Sequence, residues 1–226
     1  MDQPLNLLIT AGPTREPIDA VRFISNRSSG AMGLALAEAA AAAGHAVTLL
    51  LGPVLSPTTL HDRVAVHRFT TTAELQHLLG EHFLGRRDTD AADAPFADVL
   101  VMAAAVADYR AADVAPGKTP RGDRLRIELE ATPDLVAQCA AAKRPGQRVV
   151  AFALEEDEHL EARAAAKMKR KGVDAIVANP LGTMEGDAIR SMLLTADGRR
   201  LRPDDRPVSK PAFAAWLIDA IERGEV

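Results

Sequence analysis

The sequence predicts an α/β fold: a three-layer sandwich with a mostly parallel central sheet, helices on both faces and a small β extension. Two observations carry that expectation. Through the first two thirds of the chain, short apolar runs alternate with longer helix-forming runs, the rhythm of strand–helix–strand units that build a parallel sheet. Nearer the C-terminus, Asp197-Gly198 separates two extended runs, the mark of a tight hairpin. The 226 residues suit one large domain, and 1–226 is read as one.

The elements follow in order. Residues 5–10 form a buried strand, followed by a turn-rich connection, Ala11-Gly12-Pro13-Thr14-Arg15-Glu16-Pro17. Residues 30–43 form a helix ended by Gly44. Strands follow at 46–51, stopped by Gly52-Pro53, and at 64–69. Thr71 or Thr72 caps a helix running to about Leu84. Residues 85–95 are a polar loop, and 98–104 a fourth strand. Residues 105–123 break the rhythm with Pro116, Gly117, Pro120 and Gly122; a loop of that length is either disordered or a functional lid. Residues 124–130 alternate like a strand. Thr132 caps a helix that starts at Pro133 and runs to 142. Residues 149–154 are a strand, 156–171 a helix ended by Gly172, and 174–178 another strand. Residues 189–195 and 199–201 pair around the Asp-Gly turn, and 209–221 close the chain as a helix that buries Trp216 and Leu217. Ligands of parallel sheets sit beyond the carboxyl ends of the strands, so chemistry is expected after Thr10, Ala104, Ala153 and Ala178.

The balance of the chain excludes several classes. A net charge of −4 with scattered Lys and Arg gives no footprint for nucleic acid, so any anion it binds is small and held locally. The alanine-rich run ending at Ala43 contains Glu38 and is too short for a bilayer. Met1-Asp2-Gln3-Pro4 lacks the basic and apolar regions of a signal, so a cytoplasmic location is expected. Cys139 is the only cysteine; set among alanines without a neighbouring His or Asp, it reads as a core residue rather than a nucleophile. The histidines show no metal-ligand spacing.

The most informative stretch is Ile24-Ser25-Asn26-Arg27-Ser28-Ser29-Gly30-Ala31-Met32-Gly33. Ser28, Ser29 and Gly30 open a helix, where backbone N–H groups and the positive end of the dipole attract phosphate; a plainly capped helix explains them equally. The spacing is not G-x-G-x-x-G. Asn26 offers a neutral amide beside that site, although a turn asparagine is the simpler account of it alone. Asp108, after an apolar lead-in, suits a magnesium ion otherwise coordinated by water and phosphate, against the plain reading of a surface aspartate. Lys118 can close on a triphosphate or be a solvated loop lysine. Lys167 and Lys171 share one helix face, where dipole preference alone would also put them.

Six blocks in order resemble the phosphopantothenoylcysteine synthetase (phosphopantothenate–cysteine ligase) family. They run from Thr10-Ala11-Gly12-Pro13-Thr14-Arg15-Glu16-Pro17-Ile18-Asp19 and Val21-Arg22-Phe23-Ile24-Ser25-Asn26-Arg27-Ser28-Ser29-Gly30 through Ala103-Ala104-Ala105-Val106-Ala107-Asp108-Tyr109 and Pro116-Gly117-Lys118. Thr132-Pro133-Asp134-Leu135, Ala151-Phe152-Ala153-Leu154-Glu155 and residues 167–179 complete them. The resemblance implies a Rossmann-like sandwich that dimerises and a step of coenzyme A synthesis: 4'-phosphopantothenate and a nucleoside triphosphate give an acyl-nucleotide and pyrophosphate, then L-cysteine displaces the nucleoside monophosphate. CTP is expected over ATP, with Mg2+ and without flavin in this chain. Association with a phosphopantothenoylcysteine decarboxylase is a further implication.

Carried over by residue, the resemblance assigns Asn26 and Lys118 to catalysis, and Arg22, Asn26 and Ala105 to phosphopantothenate. Ser28, Ser29 and Gly30 would hold phosphates, Asp108 the metal, and residues 106–122 would be a flexible lid. Met102, Ala103, Ala104, Pro133, Phe152, Lys167 and Lys171 would line the nucleotide pocket. Ala131-Thr132 in place of Lys-Asn, Leu154 and Glu156 in the next block, and a lid with one lysine before Thr119-Pro120-Arg121 depart from the family pattern. These bear on base selectivity and lid affinity, not reaction class. A short-chain nicotinamide oxidoreductase is the competing class, but Tyr109 has Asp113 four residues on where that class places lysine. A nucleotide-binding dimer module without catalysis is the third.

Overall fold

A computed structural model describes residues 3–54, 59–85, 96–183, 186 and 188–226. The N-terminal half holds β1 (Asn6–Ala11), β2 (Arg15–Pro17), β3 (Phe23–Ser25), α1 (Ala31–Ala42), β4 (Ala46–Leu51), β5 (Val64–Arg68), α2 (Thr72–His82), β6 (Val99–Met102) and β7 (Tyr109–Ala111). The C-terminal half holds β8 (Leu129–Ala131), α3 (Leu135–Ala142), β9 (Arg148–Glu155), α4 (Leu160–Lys171), β10 (Ala175–Pro180), β11 (Ala188–Ile189), β12 (Met192–Thr195), β13 (Arg200–Leu201), β14 (Val208–Ser209) and α5 (Lys210–Glu222).

Eight strands form the main sheet in the order β13-β12-β10-β9-β6-β1-β4-β5. All neighbours from β5 to β10 pair in parallel, while β12 and β13 are antiparallel. The parallel part has the doubly wound order, reversing between β1 and β6, where the crevice of such folds opens. Side chains alternate across the sheet. Leu7, Ile9, Val47, Leu49, Val99 and Val101 face α1 and α5, with Leu36, Phe213 and Leu217. Leu8, Leu50, Leu100, Val149 and Ile176 face the other way, with Leu75, Leu135 and Ala164 from α2, α3 and α4. Each fully buried Leu or Phe contributes about 1.5–3 kcal/mol, so the strands hold without help from their loops. Cys139 is buried in the second cluster, as expected.

The expected hairpin around Asp197-Gly198 forms as β12–β13, and a further β extension lies elsewhere. β2–β3 and β7–β8 are antiparallel pairs in contact through β2 and β7, beyond the carboxyl edge of the sheet. Only residues 129 and 130 of the alternating stretch 124–130 become strand, within β8, because its partner β7 is three residues long. Helix α3 begins at Leu135 with Asp134 as its cap, accepting from the Ala137 amide at 3.1 Å. Thr132 is not that cap: its hydroxyl donates to the Ala107 carbonyl at 2.5 Å and its amide to that of Asp108 at 3.0 Å. β6 stops at Met102, two residues before the expected end, because the Ala104 amide turns to donate to Thr10 Oγ1 at 3.0 Å.

α4 starts at Leu160, after a single 3₁₀ turn, so Glu156 precedes the helix. Ile189 leaves the Asp-Gly hairpin to pair with Val208. Leu217 is buried, whereas Trp216 is only half-buried against Phe213. Of the expected polar loop 85–95, residues 86–95 lie outside the described residues. Among the described residues no helix is long and apolar enough to cross a membrane.

Candidate functional site

A cavity of about 690 Å³ opens at the switch point, along the carboxyl ends of β6, β9 and β10. It straddles the sheet. On the α1/α5 side lie the loop from Ser25 to Gly30, Ala31 and Met32, with Ile189 and Lys210. On the other lie Asp108, Thr132 to Val136, Lys167 and Lys171.

The α1 wall depends on close backbone approach. A Cβ on Gly33 would stand 2.4 Å from that of Ala11, so α1 lies directly on β1. Gly12 and Gly30 have φ of 82° and 78°, a region costly for other residues, and a Cβ on Gly30 would come within 3.2 Å of the Gly12 amide nitrogen. These three glycines supply a tight turn, a close backbone approach and helix–strand packing, the three features that glycines of the dinucleotide fingerprint supply. They are not contiguous, because residues 13–29, with β2 and β3, lie between Gly12 and Gly30. Gly30-x-x-Gly33 was the signal available in the sequence.

Gly30 caps α1 without a side-chain bond. Ser28 Oγ accepts from the Gly30 amide at 3.3 Å and Ser29 Oγ from the Ala31 amide at 3.4 Å. The amides that follow have no intrahelical acceptor, and at this end an anion is stabilised by about 0.3–1 kcal/mol, more when partly buried. Ser28, Ser29, Gly30, Met102, Ala103, Ala104, Ala105, Asp108, Pro133, Phe152, Lys167 and Lys171 all line the cavity.

Asn26 lines it too, with both amide hydrogens committed: Nδ2 donates to the carbonyls of Ala105 and Val106, each at 3.1 Å. It ties the loop before α1 to the loop after β6. Donation to a developing oxyanion requires exchange of one of these carbonyls.

Two cations of α4, Lys167 and Lys171, line the cavity. Lys171 pairs with Asp134 at 2.8 Å. Burial would raise the Asp134 pKa, but the Lys171 bond, the Ala137 amide and the charges of Lys171 and Arg170 bring it below its ordinary value. Lys167 is half-buried, and its pKa is lowered by burial first and then by Lys171, against the opposing charges of Glu155 and Asp108. Asp108, like Asp134, is an exposed carboxylate on this wall. No group of three or more His, Cys, Asp or Glu among the described residues could hold a metal, so Asp108 fits only an ion whose other ligands are phosphate and water.

Arg22 and Lys118 do not line the cavity. Arg22 is held by Asp19 in the β2–β3 turn, and Lys118 is exposed on the loop after β7. Asn179 lines it directly after Ala178, where chemistry is expected, and Lys210 and Ile189 line it without having been expected. Lys210 had a readable signal: a cation in the first turn of a helix opposes the dipole, which an anion beside it would relieve. Ile189 arrives through the β11–β14 pair, which no local pattern announces.

A family model for the DNA/pantothenate metabolism flavoprotein C-terminal domain matches residues 3–224. The coenzyme A biosynthesis bifunctional protein CoaBC of Escherichia coli (strain K12) is 40% identical over 226 residues, covering 96% of this chain and 51% of that protein. CoaBC of Mycobacterium tuberculosis (strain ATCC 25618 / H37Rv) is 40% identical over 228 residues, covering 95% and 51%. The chain thus spans about half the length of these curated relatives. The crystal structure of a CoaBC C-terminal domain superposes with a TM-score of 0.78 at 30% identity, covering 99% of this chain and 96% of that one. A Cab2 mutant in complex with phosphopantothenate-cysteine has a TM-score of 0.72 at 18% identity, covering 98% and 89%, a likeness of fold.

Proposed function

The chain belongs to the DNA/pantothenate metabolism flavoprotein C-terminal domain family, and from that premise we propose that it joins 4'-phosphopantothenate to L-cysteine in coenzyme A biosynthesis. The observation that carries this is the convergence of the α1 N-terminus, Asn26, Asp108, Lys167 and Lys171 on one cavity at the switch point.

The substrate carboxylate attacks the α-phosphorus of a nucleoside triphosphate, CTP in preference to ATP; the α–β P–O bond breaks and pyrophosphate leaves. The cysteine amine then attacks the acyl carbon of the acyl-cytidylate and expels CMP, and the amine's proton passes to solvent. The attacking carboxylate is already ionised, so the first step needs no strong base. Its obstacle is repulsion between anions. The α1 amides, Ser28 and Ser29 receive the phosphates, Lys210 adds charge at that end, and Lys118 reaches in from the loop after β7. Phe152, Lys167 and Lys171 flank the nucleoside. Magnesium bound with the nucleotide, supported by Asp108, would neutralise phosphate charge.

The functional unit is a homodimer formed through the β extension. Val21, Phe23, Tyr109, Val114, Leu125 and Leu129 are all exposed there or in the loop joining β7 to β8, an apolar face of the kind that marks an interface. Association with a phosphopantothenoylcysteine decarboxylase and a cytoplasmic location belong to the same proposal, supported by the chain's likeness to coenzyme A biosynthesis bifunctional proteins. The testing experiment mixes the protein with phosphopantothenate, cysteine, Mg2+ and either CTP or ATP. Pyrophosphate should appear only with phosphopantothenate present and faster with CTP; no release with either nucleotide overturns the ligase reading.

A further inference from the structure

Asp19 sits in the turn between β2 and β3 with its side chain out of solvent. Its two oxygens have separate tasks. Oδ1 accepts from the amides of Val21 at 2.9 Å and Arg22 at 2.8 Å, which shapes the turn. Oδ2 accepts from Arg22 Nε at 2.9 Å, from Arg22 Nη2, and from the Thr119 amide at 3.1 Å. Arg22 Nη2 also donates to the Thr119 carbonyl at 2.9 Å. A carboxylate and a guanidinium therefore hold both polar groups of one residue in a distant loop. Upstream, the Ala115 amide donates to the Ile18 carbonyl at 3.1 Å. The loop is fastened to the hairpin at Ala115 and Thr119, and Pro116-Gly117-Lys118 is the arch between them.

We propose that Asp19 is a positioning residue: with Arg22 it clamps Thr119 and so sets where Lys118 meets the nucleotide. An arch pinned at both ends leaves its lysine few conformations to lose on binding. The expected lid over 106–122 becomes, at its functional end, a short fixed span. Arg22 acts through the clamp, which explains its conjunction with Lys118 outside the cavity. The clamp rests on the reading of Lys118 as a group that meets the triphosphate during ligation.

Asp19→Asn separates the two tasks. Its carbonyl oxygen still serves the turn amides, while its NH2 group faces the Thr119 amide and the Arg22 guanidinium as a third donor. Pyrophosphate release should show kcat/KM for the nucleotide falling roughly tenfold, the scale of a lost bond to a charged group, with the protein still folded and its thermal midpoint lowered by about a few degrees. In a Lys118→Ala background the same substitution should change it less than about twofold, because its effect passes through Lys118. An unaltered kcat/KM, or an equal loss in both backgrounds, overturns the proposal. Limited trypsin digestion supplies a readout independent of activity: cleavage after Lys118, followed by mass spectrometry, should be several-fold faster in Asp19→Asn. Equal cleavage rates also overturn the clamp, whereas a wild-type protein that releases no pyrophosphate overturns only the ligase reading.

Discussion

The central sheet and the β extension are built on opposite principles. The sheet buries its apolar side chains on both faces and uses few side-chain hydrogen bonds to do so. The extension exposes Phe23, Tyr109 and Leu129 and is fastened to α2 and to the loop after β6 by polar bonds. Buried Glu16 accepts from the Thr72 amide at 2.8 Å and from Thr72 Oγ1 at 2.7 Å. Thr14 Oγ1 accepts from the Ala107 amide at 3.0 Å, and Asn26 bridges the two loops. The sheet is self-sufficient, the extension is held by a few directional contacts, and the cavity lies at the seam. A change in the extension should therefore alter function out of proportion to stability, and a change in the sheet the reverse.

The largest expected effect breaks the sheet side. Leu8→Ala leaves a cavity in the second apolar cluster, where Leu8 is fully buried on β1, and should cost about 3 kcal/mol by urea unfolding. The next loosens the seam. Glu16→Ala leaves the Thr72 amide and hydroxyl without their acceptor and should cost about 2 kcal/mol, with a greater loss of pyrophosphate release than Leu8→Ala shows. If the two variants lose activity in step with stability, the division into two regions is wrong.

The third acts on the extension alone. Phe23→Asp with Leu129→Asp should convert a dimer to a monomer by light scattering, while the unfolding midpoint of the main sheet moves within about 0.5 kcal/mol, as for exposed sites. A protein that is monomeric before substitution, or dimeric after it, removes the extension as the interface.

The same contrast explains what the sequence made legible. Every strand from β1 to β10 that joins the sheet was readable within a few residues, because apolar periodicity is set by burial on a regular surface. The extension was not: β2, β3 and β7 are three residues each and are selected by tertiary hydrogen bonds, such as that from the Thr14 amide to Ala105. The local alternation at 124–128 consequently has no partner strand. At the site, Ser28, Ser29 and Asn26 were visible as types and spacing. The pairing of Gly12 with Gly30 was hidden by the residues 13–29 between them, and Lys210 was signalled only as a cation opposing a helix dipole, its distance in sequence concealing what it faces. Asp19 was quoted in a motif, but nothing local says that its second oxygen reaches Thr119.

A smaller effect separates the two ends of the cavity. Lys210→Ala should weaken CTP binding about tenfold by calorimetry, the scale of one charged hydrogen bond, and leave CMP within about twofold, since Lys210 shares its side of the sheet with the α1 amides and lies across it from Lys167 and Lys171. Equal losses for both nucleotides would place the phosphates at the other end.

The smallest expected effect is a pH dependence at that other end. Lys167 is held below the ordinary lysine range by burial and then by the Lys171 charge, so it surrenders its proton at lower pH than an exposed lysine. Nucleotide affinity, which needs the ammonium, should fall a few-fold as pH rises through that depressed value, and Lys167→Met should bind more weakly with a flatter alkaline profile. Stability moves oppositely. The folded state disfavours the charged form, so the penalty is fully present below the folded pKa and is relieved as pH rises from there toward the unfolded value. Lys167→Met should therefore be slightly more stable than wild type at neutral pH while binding CTP less well. A variant that loses stability and affinity together would make Lys167 a structural cation paired to Glu155 and Asp108, and would leave Lys171 as the α4 group that faces the nucleotide.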